Sequence, residues 1–195
     1  MINYLNKFSL KGKTAFVTGG VGLIGEEVSK ALATAGARVV ILDIDSKKGI
    51  ETVNTIREHG YKANYDNFDC SDLDNIDTNI YSIIKTYNGV DIFINCSYPR
   101  TKDWAKSSFK DISIKSFRKN VDIHMNSSAW LAKLFADIMS ENPNGGSIIS
   151  ISSDLGLIAP DQRLYERDNI PDDFQSVKPI TYSVVKTGLI GLTKY

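Results

Sequence analysis

Short apolar runs alternate with amphipathic segments of twelve or more residues along the chain. The turn between the first two is rich in glycine. Residues 14–18 (Thr-Ala-Phe-Val-Thr) read as a strand. Residues 23–35 place Val28, Leu32 and Ala35 at helical spacing, with Gly36 as the stop. A β-branched run over 38–42 predicts a second strand. A helix over 46–59 follows, capped by Asp45 or Ser46 and ended by Gly60. Further on, the pattern predicts a weak strand at 63–68, a helix at 72–87 and a strand at 90–95. Residues 112–140 read as mostly one helix, 146–152 as a strand, and Thr181 onward as helix again. This alternation implies βαβ units and a parallel sheet, the α/β class. The run Val39–Leu42 is apolar without alternation, as expected of a strand covered on both faces. Residues 156–179 are irregular and hold Pro160, Pro171 and Pro179, so they read as a functional loop or lid.

Length and composition narrow the class further. At 195 residues the chain is expected to be one domain, and it is long enough to bury a sizeable core. Lys plus Arg and Asp plus Glu are both 23, a balance that argues against a nucleic-acid or anionic-membrane binder. Two cysteines, Cys70 and Cys96, and two histidines, His59 and His124, supply neither a disulfide framework nor a four-ligand zinc site. Neither a signal peptide nor a membrane span is legible, and a cytoplasmic protein is the expectation.

In a parallel sheet, ligands bind at the carboxyl ends of the strands. The motif Thr18-Gly-Gly-Val-Gly-Leu-Ile-Gly25 lies at that edge, between the first strand and the first helix. Glycines there permit a tight turn and close approach to a pyrophosphate, and the helix N-terminus offers free N–H groups and partial positive charge. Gly19, Gly22, Leu23, Ile24 and Gly25 are therefore candidate cofactor-binding residues; the plain alternative is a glycine turn without a ligand. Asp43 lies 24 residues after Gly19, at the end of the second strand. Its carboxylate suits ribose hydroxyls and repels a 2′-phosphate, which favours NAD over NADP. Asp69, after the third strand, suits an adenine edge or, equally, a helix N-cap.

Three Tyr-x-x-x-Lys pairs occur: Tyr81/Lys85, Tyr98/Lys102 and Tyr182/Lys186. Tyr81 falls inside a helix, and Tyr98 falls in a loop, where that spacing aligns nothing. Only Tyr182 opens a helix after a strand that ends in serines, and on a helix the two side chains share a face. Poising a phenol of pKa near 10 for proton transfer at pH 7 takes about 4 kcal/mol. One ammonium at about 4 Å supplies roughly that at an effective dielectric of 20. Tyr182 is thus the candidate general acid/base, Lys186 its electrostatic partner, and Ser153 the hydrogen-bond donor to the substrate oxygen. A core tyrosine with an exposed lysine neighbour is the competing reading.

With these residues in this order, the chain resembles the short-chain dehydrogenase/reductase family over nearly its whole length. The likeness rests on Thr18 to Gly25, Asp43, Asp69, Asp91 to Ser97, Ile151 to Gly156, and Tyr182 to Thr193. It implies a Rossmann-type doubly wound parallel sheet, NAD or NADP as cofactor, and Ser153, Tyr182 and Lys186 as catalytic residues. Lys186 would also bind the nicotinamide ribose, and Asn95 would steady the central sheet. The departures are specific. The glycines read Gly-x-x-Gly-x-x-Gly, with Leu23 in place of a glycine, as in the sugar-nucleotide epimerase and dehydratase branch. Asn95-Cys96-Ser97 replaces Asn-Ala-Gly. His124 stands where the family has a helix asparagine that orders a relay water, so it is a fourth candidate catalytic residue, able to donate or accept in the relay; a histidine packed between helices is the alternative. From Ser153 to Tyr182 is 29 residues, longer than the family's usual interval.

Tyr98-Pro99-Arg100, His124 and the long loop with Tyr165-Glu166 are similar to a bacterial subgroup of flagellin and surface-glycan modification. That likeness tilts the expected small-molecule substrate towards a sugar derivative. Arg100, Arg163 and Arg167 flank the expected pocket; they either pair with a substrate anion or are solvated loop charges. Relatives continue past this length, so the sheet reads as truncated after the helix carrying Tyr182 and Lys186. By the resemblance, a homodimer or homotetramer is expected. The expected reaction is hydride transfer between nicotinamide and a hydroxyl or keto group. A nucleotide-sugar epimerase or dehydratase with held NAD, and a non-catalytic NAD-binding protein, are the alternatives.

Overall fold

The computed structural model describes residues 4–171 and 175–195. The chain forms two compact units, one comprising residues up to Ser97 together with Leu131–Ser150, the other Tyr98–Trp130 together with Ile151–Tyr195.

The first unit holds a five-stranded sheet of β1 (Thr14–Thr18), β2 (Arg38–Asp43), β3 (Lys62–Asn67), β4 (Ile92–Asn95) and β5 (Ser147–Ser150). The strand order is β3-β2-β1-β4-β5, and every pairing is parallel. The chain winds outward from β1 to β3 and then returns to the other side through β4. The order therefore reverses between β1 and β4, where Thr18 pairs with Leu42 on one side and Asn95 on the other. That reversal leaves a crevice beyond the strand ends, the usual ligand position of an open α/β sheet.

Both faces of the sheet are covered, as the unalternating apolar strands require. Phe16, Val40, Leu42 and Phe93 face Ile76, Ile80 and Ile84 of α3 (Ile76–Thr86) and Leu131, Leu134 and Phe135 of α5 (Ser127–Ser140). Phe93 and Phe135 stack at 3.7 Å. On the other face, Ala15, Val17, Val39 and Ile41 pack with Ala33 of α1 (Leu23–Thr34) and Val53 and Ile56 of α2 (Ser46–Glu58). Each fully buried large side chain contributes about 1.5–3 kcal/mol.

Local chemistry sets the helix ends. Gly36 adopts φ +104° and ends the α1 region, and Asp45 caps α2 by accepting from the Lys48 amide at 3.0 Å. The third helix begins at Ile76 rather than near Asp72. Asp69 accepts from the Ser71 amide, and Asp72 accepts from the Asn75 side chain, so these groups spend their acceptors on turns.

The second unit carries α4 (Ile114–Asn120), a π-helical turn (Val121–Asn126), the first turn of α5, and α6 (Ile180–Lys194). The single helix expected over 112–140 is thus α4 and α5 joined by a wider turn. The Ser127 hydroxyl donates to the carbonyls of Ile123 and His124, at 2.7 and 3.2 Å, supplementing the altered backbone pattern there. The loop over 156–179 is largely irregular, with a short 3-10 turn at Gln162–Tyr165; its residues 172–174 lie outside the described residues.

Candidate active site

In the first unit the glycine turn stands at the reversal point between β1 and β4. Gly19 has φ +64°, and a Cβ there would lie 2.7 Å from the backbone of Ser97. A Cβ on Gly25 would lie 2.1 Å from the Gly19 carbonyl oxygen. These glycines fold the turn tightly against itself and against the exit of β4. Gly22 occupies the N-cap of α1 and provides no side-chain cap, leaving the first helical amides open to an anion. Leu23 is 93% exposed and Ile24 54% exposed beside them. Asp43 reaches the same turn: its carboxylate accepts from the Val21 amide at 3.3 Å and from the Asp45 amide at 3.1 Å. Asp69 is exposed at the next strand exit, in its turn with Ser71.

Asn95 is buried, and its side-chain oxygen accepts from the Thr18 hydroxyl at 2.9 Å and from the Ser97 amide at 3.1 Å. It thereby ties the tip of β1 to that of β4. A narrow glycine turn, uncapped helical amides and a carboxylate at the second strand tip fit the pyrophosphate and ribose of a dinucleotide. Burial pushes the Cys70 thiol up to about 11, which makes it a poor nucleophile.

In the second unit, α6 is locked to the segment that follows β5. Ser152 donates its hydroxyl to the Lys186 carbonyl at 2.8 Å, and Thr187 donates to the Gly156 carbonyl at 2.7 Å. A Cβ on Gly156 would lie 2.8 Å from the Lys186 backbone, so only glycine allows this approach. Tyr182 and Lys186 lie one turn apart on α6. Lys186 is buried, donates to the Ile151 carbonyl at 2.6 Å, and sits 5.7 Å from the Tyr182 ring centroid. The Ser153 hydroxyl accepts from the Leu155 amide at 3.2 Å and donates to Asp154 at 2.9 Å.

His124 lies in the π-helical turn, buried and edge-on to Tyr98 at 4.7 Å between centroids. Burial, with the Lys186 ammonium adding repulsion, pushes its imidazole down to about 3. The ring is therefore neutral at ordinary pH.

Sequence reasoning missed the aromatic cluster around Tyr182. Tyr98 and Trp104 stand edge-on to it at 5.8 and 6.4 Å, and the Lys178 ammonium lies 4.5 Å from its centroid. The sequence singles out Tyr98 through Tyr98-Pro99-Arg100 without linking it to Tyr182; Trp104, in a 3-10 turn (Trp104–Lys106), and Lys178, in a loop, offer only their aromatic or cationic character as a signal. Of the three arginines, Arg163 forms a two-pronged pair with Asp161 at 2.7 and 2.9 Å, and Arg167 is exposed. Arg100 stays at the cluster, over the rings of Tyr98 (5.8 Å) and Trp104 (5.4 Å).

The sequence pattern of the short chain dehydrogenase family matches residues 13–164. The chain belongs to the short-chain dehydrogenase family. Its members are oxidoreductases that use NAD or NADP. Post-translational flagellin modification protein A of Campylobacter coli is 25% identical over 182 residues, which are 92% of this chain and 68% of that protein. Galactitol 2-dehydrogenase of Agrobacterium fabrum is 27% identical over 75% of this chain and 55% of its own length. The crystal structure of a short-chain type dehydrogenase/reductase from Mycobacterium marinum superposes with a TM-score of 0.80 at 26% identity. It covers 99% of this short-chain dehydrogenase and 71% of that one. The chain thus spans roughly two thirds or less of the curated relatives it matches. Among the described residues, no helix is long and apolar enough to cross a membrane, and no group of three metal-ligating side chains occurs.

Proposed function

We propose that this short-chain dehydrogenase uses NAD to interconvert a hydroxyl and a keto group on a small polyhydroxylated substrate. NAD bound at the glycine turn supplies the hydride acceptor. The α1 amides hold its pyrophosphate, and Asp43 accepts from its adenosine ribose and turns away a 2′-phosphate. Tyr182 takes the proton of the substrate hydroxyl in oxidation and returns it in reduction. Ser153 steadies the same substrate oxygen by turning its hydroxyl from Asp154. Lys186 holds positive charge beside the developing phenolate. His124, neutral, accepts or donates a hydrogen bond without contributing charge. The relatives named for galactitol oxidation and flagellin modification support a sugar-like substrate.

The observation that carries this reading is the buried Lys186 ammonium, pinned by the Ile151 carbonyl one helical turn from Tyr182. A buried ammonium is costly unless a function or partner uses it. Turnover on a panel of polyols and their ketoses, followed by NADH absorbance, is the test. Tyr182→Phe should lower kcat by at least a hundredfold while leaving NADH affinity within twofold. Undiminished turnover in that variant rejects the mechanism.

A further inference from the structure

We propose that Arg100 and Lys178 form an anion site beside Tyr182, which recognises a phosphate or carboxylate carried by the substrate. This rests on the reading of Tyr182 as the proton-transfer residue and adds the chemical class of what it acts on. Both cations belong to the second unit, and both lie over one ring: Arg100 is 5.4 Å and Lys178 5.9 Å from the Trp104 centroid. Lys178 also stands 4.5 Å from the Tyr182 ring and 4.8 Å from that of Tyr165. Among the described residues, no carboxylate lies within ion-pair distance of either cation. Arg163, by contrast, has its own acid in Asp161. Ring faces satisfy these two cations only in part. An anion held between them pairs with both, and the arginine fork offers the two-point grip that phosphate and carboxylate accept.

Two further observations point to a ligand at this place. The Tyr98 hydroxyl is buried without a hydrogen-bond partner, as are those of Thr181 and Ser183. Buried hydroxyls of this kind call for a partner, which a water or a ligand supplies. Of these groups Ser183, together with Lys178, lines a cavity of about 440 Å³, walled by Leu155, Leu157, Ile158 and Phe109, with Gln162 and Thr187 as further polar side chains. That volume holds a molecule of hexose size. A cation at the wall of a mainly apolar cavity favours a ligand that carries negative charge.

Trp104 is the reporter. In a Trp130→Phe background it is the sole tryptophan, and its emission is titrated with a hexose phosphate, a hexuronate and the neutral hexose. We expect one or both anionic sugars to bind at least tenfold more tightly than the neutral one; which of the two does so separates phosphate from carboxylate. Lys178→Met and Arg100→Met should each remove that preference, and Lys62→Met, in the first unit, should not. Equal affinity for charged and neutral sugars, or equal loss in Lys62→Met, overturns the anion site. Because the readout is binding, it stands apart from turnover. If Tyr182→Phe turns substrate over normally while the anionic preference persists, the mechanism fails and the anion site stands. If Tyr182→Phe is inactive and the preference is absent, the reverse holds.

Discussion

Acidification should cost this short-chain dehydrogenase about 3 kcal/mol of stability through His124 alone. The imidazole is held near 3 by burial and by the Lys186 ammonium, against about 6.5 in an unfolded chain. The unfolded state therefore takes up this proton first as the pH falls. The histidine imposes no penalty above about pH 6.5, and the penalty grows until the pH nears 3. At pH 4.5 the unfolded chain has gained about two pH units of proton binding that the folded chain lacks, or roughly 3 kcal/mol. Asp91 and Glu26 also have carboxyls held below their usual range, by Lys13 and by Lys30 and Lys48 respectively, so they too lose stability in acid. A difference measurement isolates the histidine. Urea unfolding of wild type and His124→Asn is compared at pH 7.0 and pH 4.5. With a slope of about 2–3 kcal/mol per molar urea, the wild-type midpoint should fall by roughly 1–1.5 M more than the variant's. The proton signals of His124, in a His59→Gln background that leaves one imidazole, should stay unshifted from pH 8 to 5. An inflection between pH 6 and 7 would refute the account of a desolvated, neutral ring.

Three other outcomes follow from the first unit. Gly25→Ala should abolish NAD binding by calorimetry, because its Cβ would fall 2.1 Å from the Gly19 carbonyl and force the turn open; unchanged affinity would show that the turn does not hold the dinucleotide. Asp43→Ser should raise NADP affinity at least tenfold and weaken NAD, read by titration of both, since it removes the charge that opposes a 2′-phosphate. Phe135→Ala should cost about 3–5 kcal/mol in urea unfolding, since the ring stacks at 3.7 Å on Phe93 in the core; a loss under 1 kcal/mol would count against that packing.

The first unit was largely legible from the chain because its signals are local. β1 begins and ends where the apolar run does, and Gly36 and Gly60 mark helix ends through positive φ, a property readable residue by residue. The parallel order followed from the lengths of the connections, since crossovers with helices forbid hairpins. Where local reading slipped, at 72–75, short polar side chains competed with the helix for hydrogen bonds. Such competition depends on which turn closes first, and neither periodicity nor propensity records it.

The second unit was legible only through its spacing on α6. Four residues separate Tyr182 from Lys186, and a regular helix makes that number geometric. The same arithmetic failed over 112–140, because a π-helical turn adds a residue to the turn and rotates everything after it. Periodicity presumes one rise and one twist, so a change of helix type in mid-run is invisible to it. That change falls at His124, the residue whose chemistry departs from the family pattern, and it puts the imidazole among Tyr98 and Lys186 rather than on a regular helical stripe. Lys178 escaped for the opposite reason. It sits outside any periodic element, two residues before α6, and only the folded chain brings its ammonium over the Tyr182 ring. A charged residue in an irregular loop reads as solvated by default, because solvation is its cheapest state in the absence of tertiary contacts. The aromatic cluster reverses that default: it draws the half-buried cation of the loop over the Tyr182 ring, at 4.5 Å from the centroid, where a ring face takes the place of part of its water.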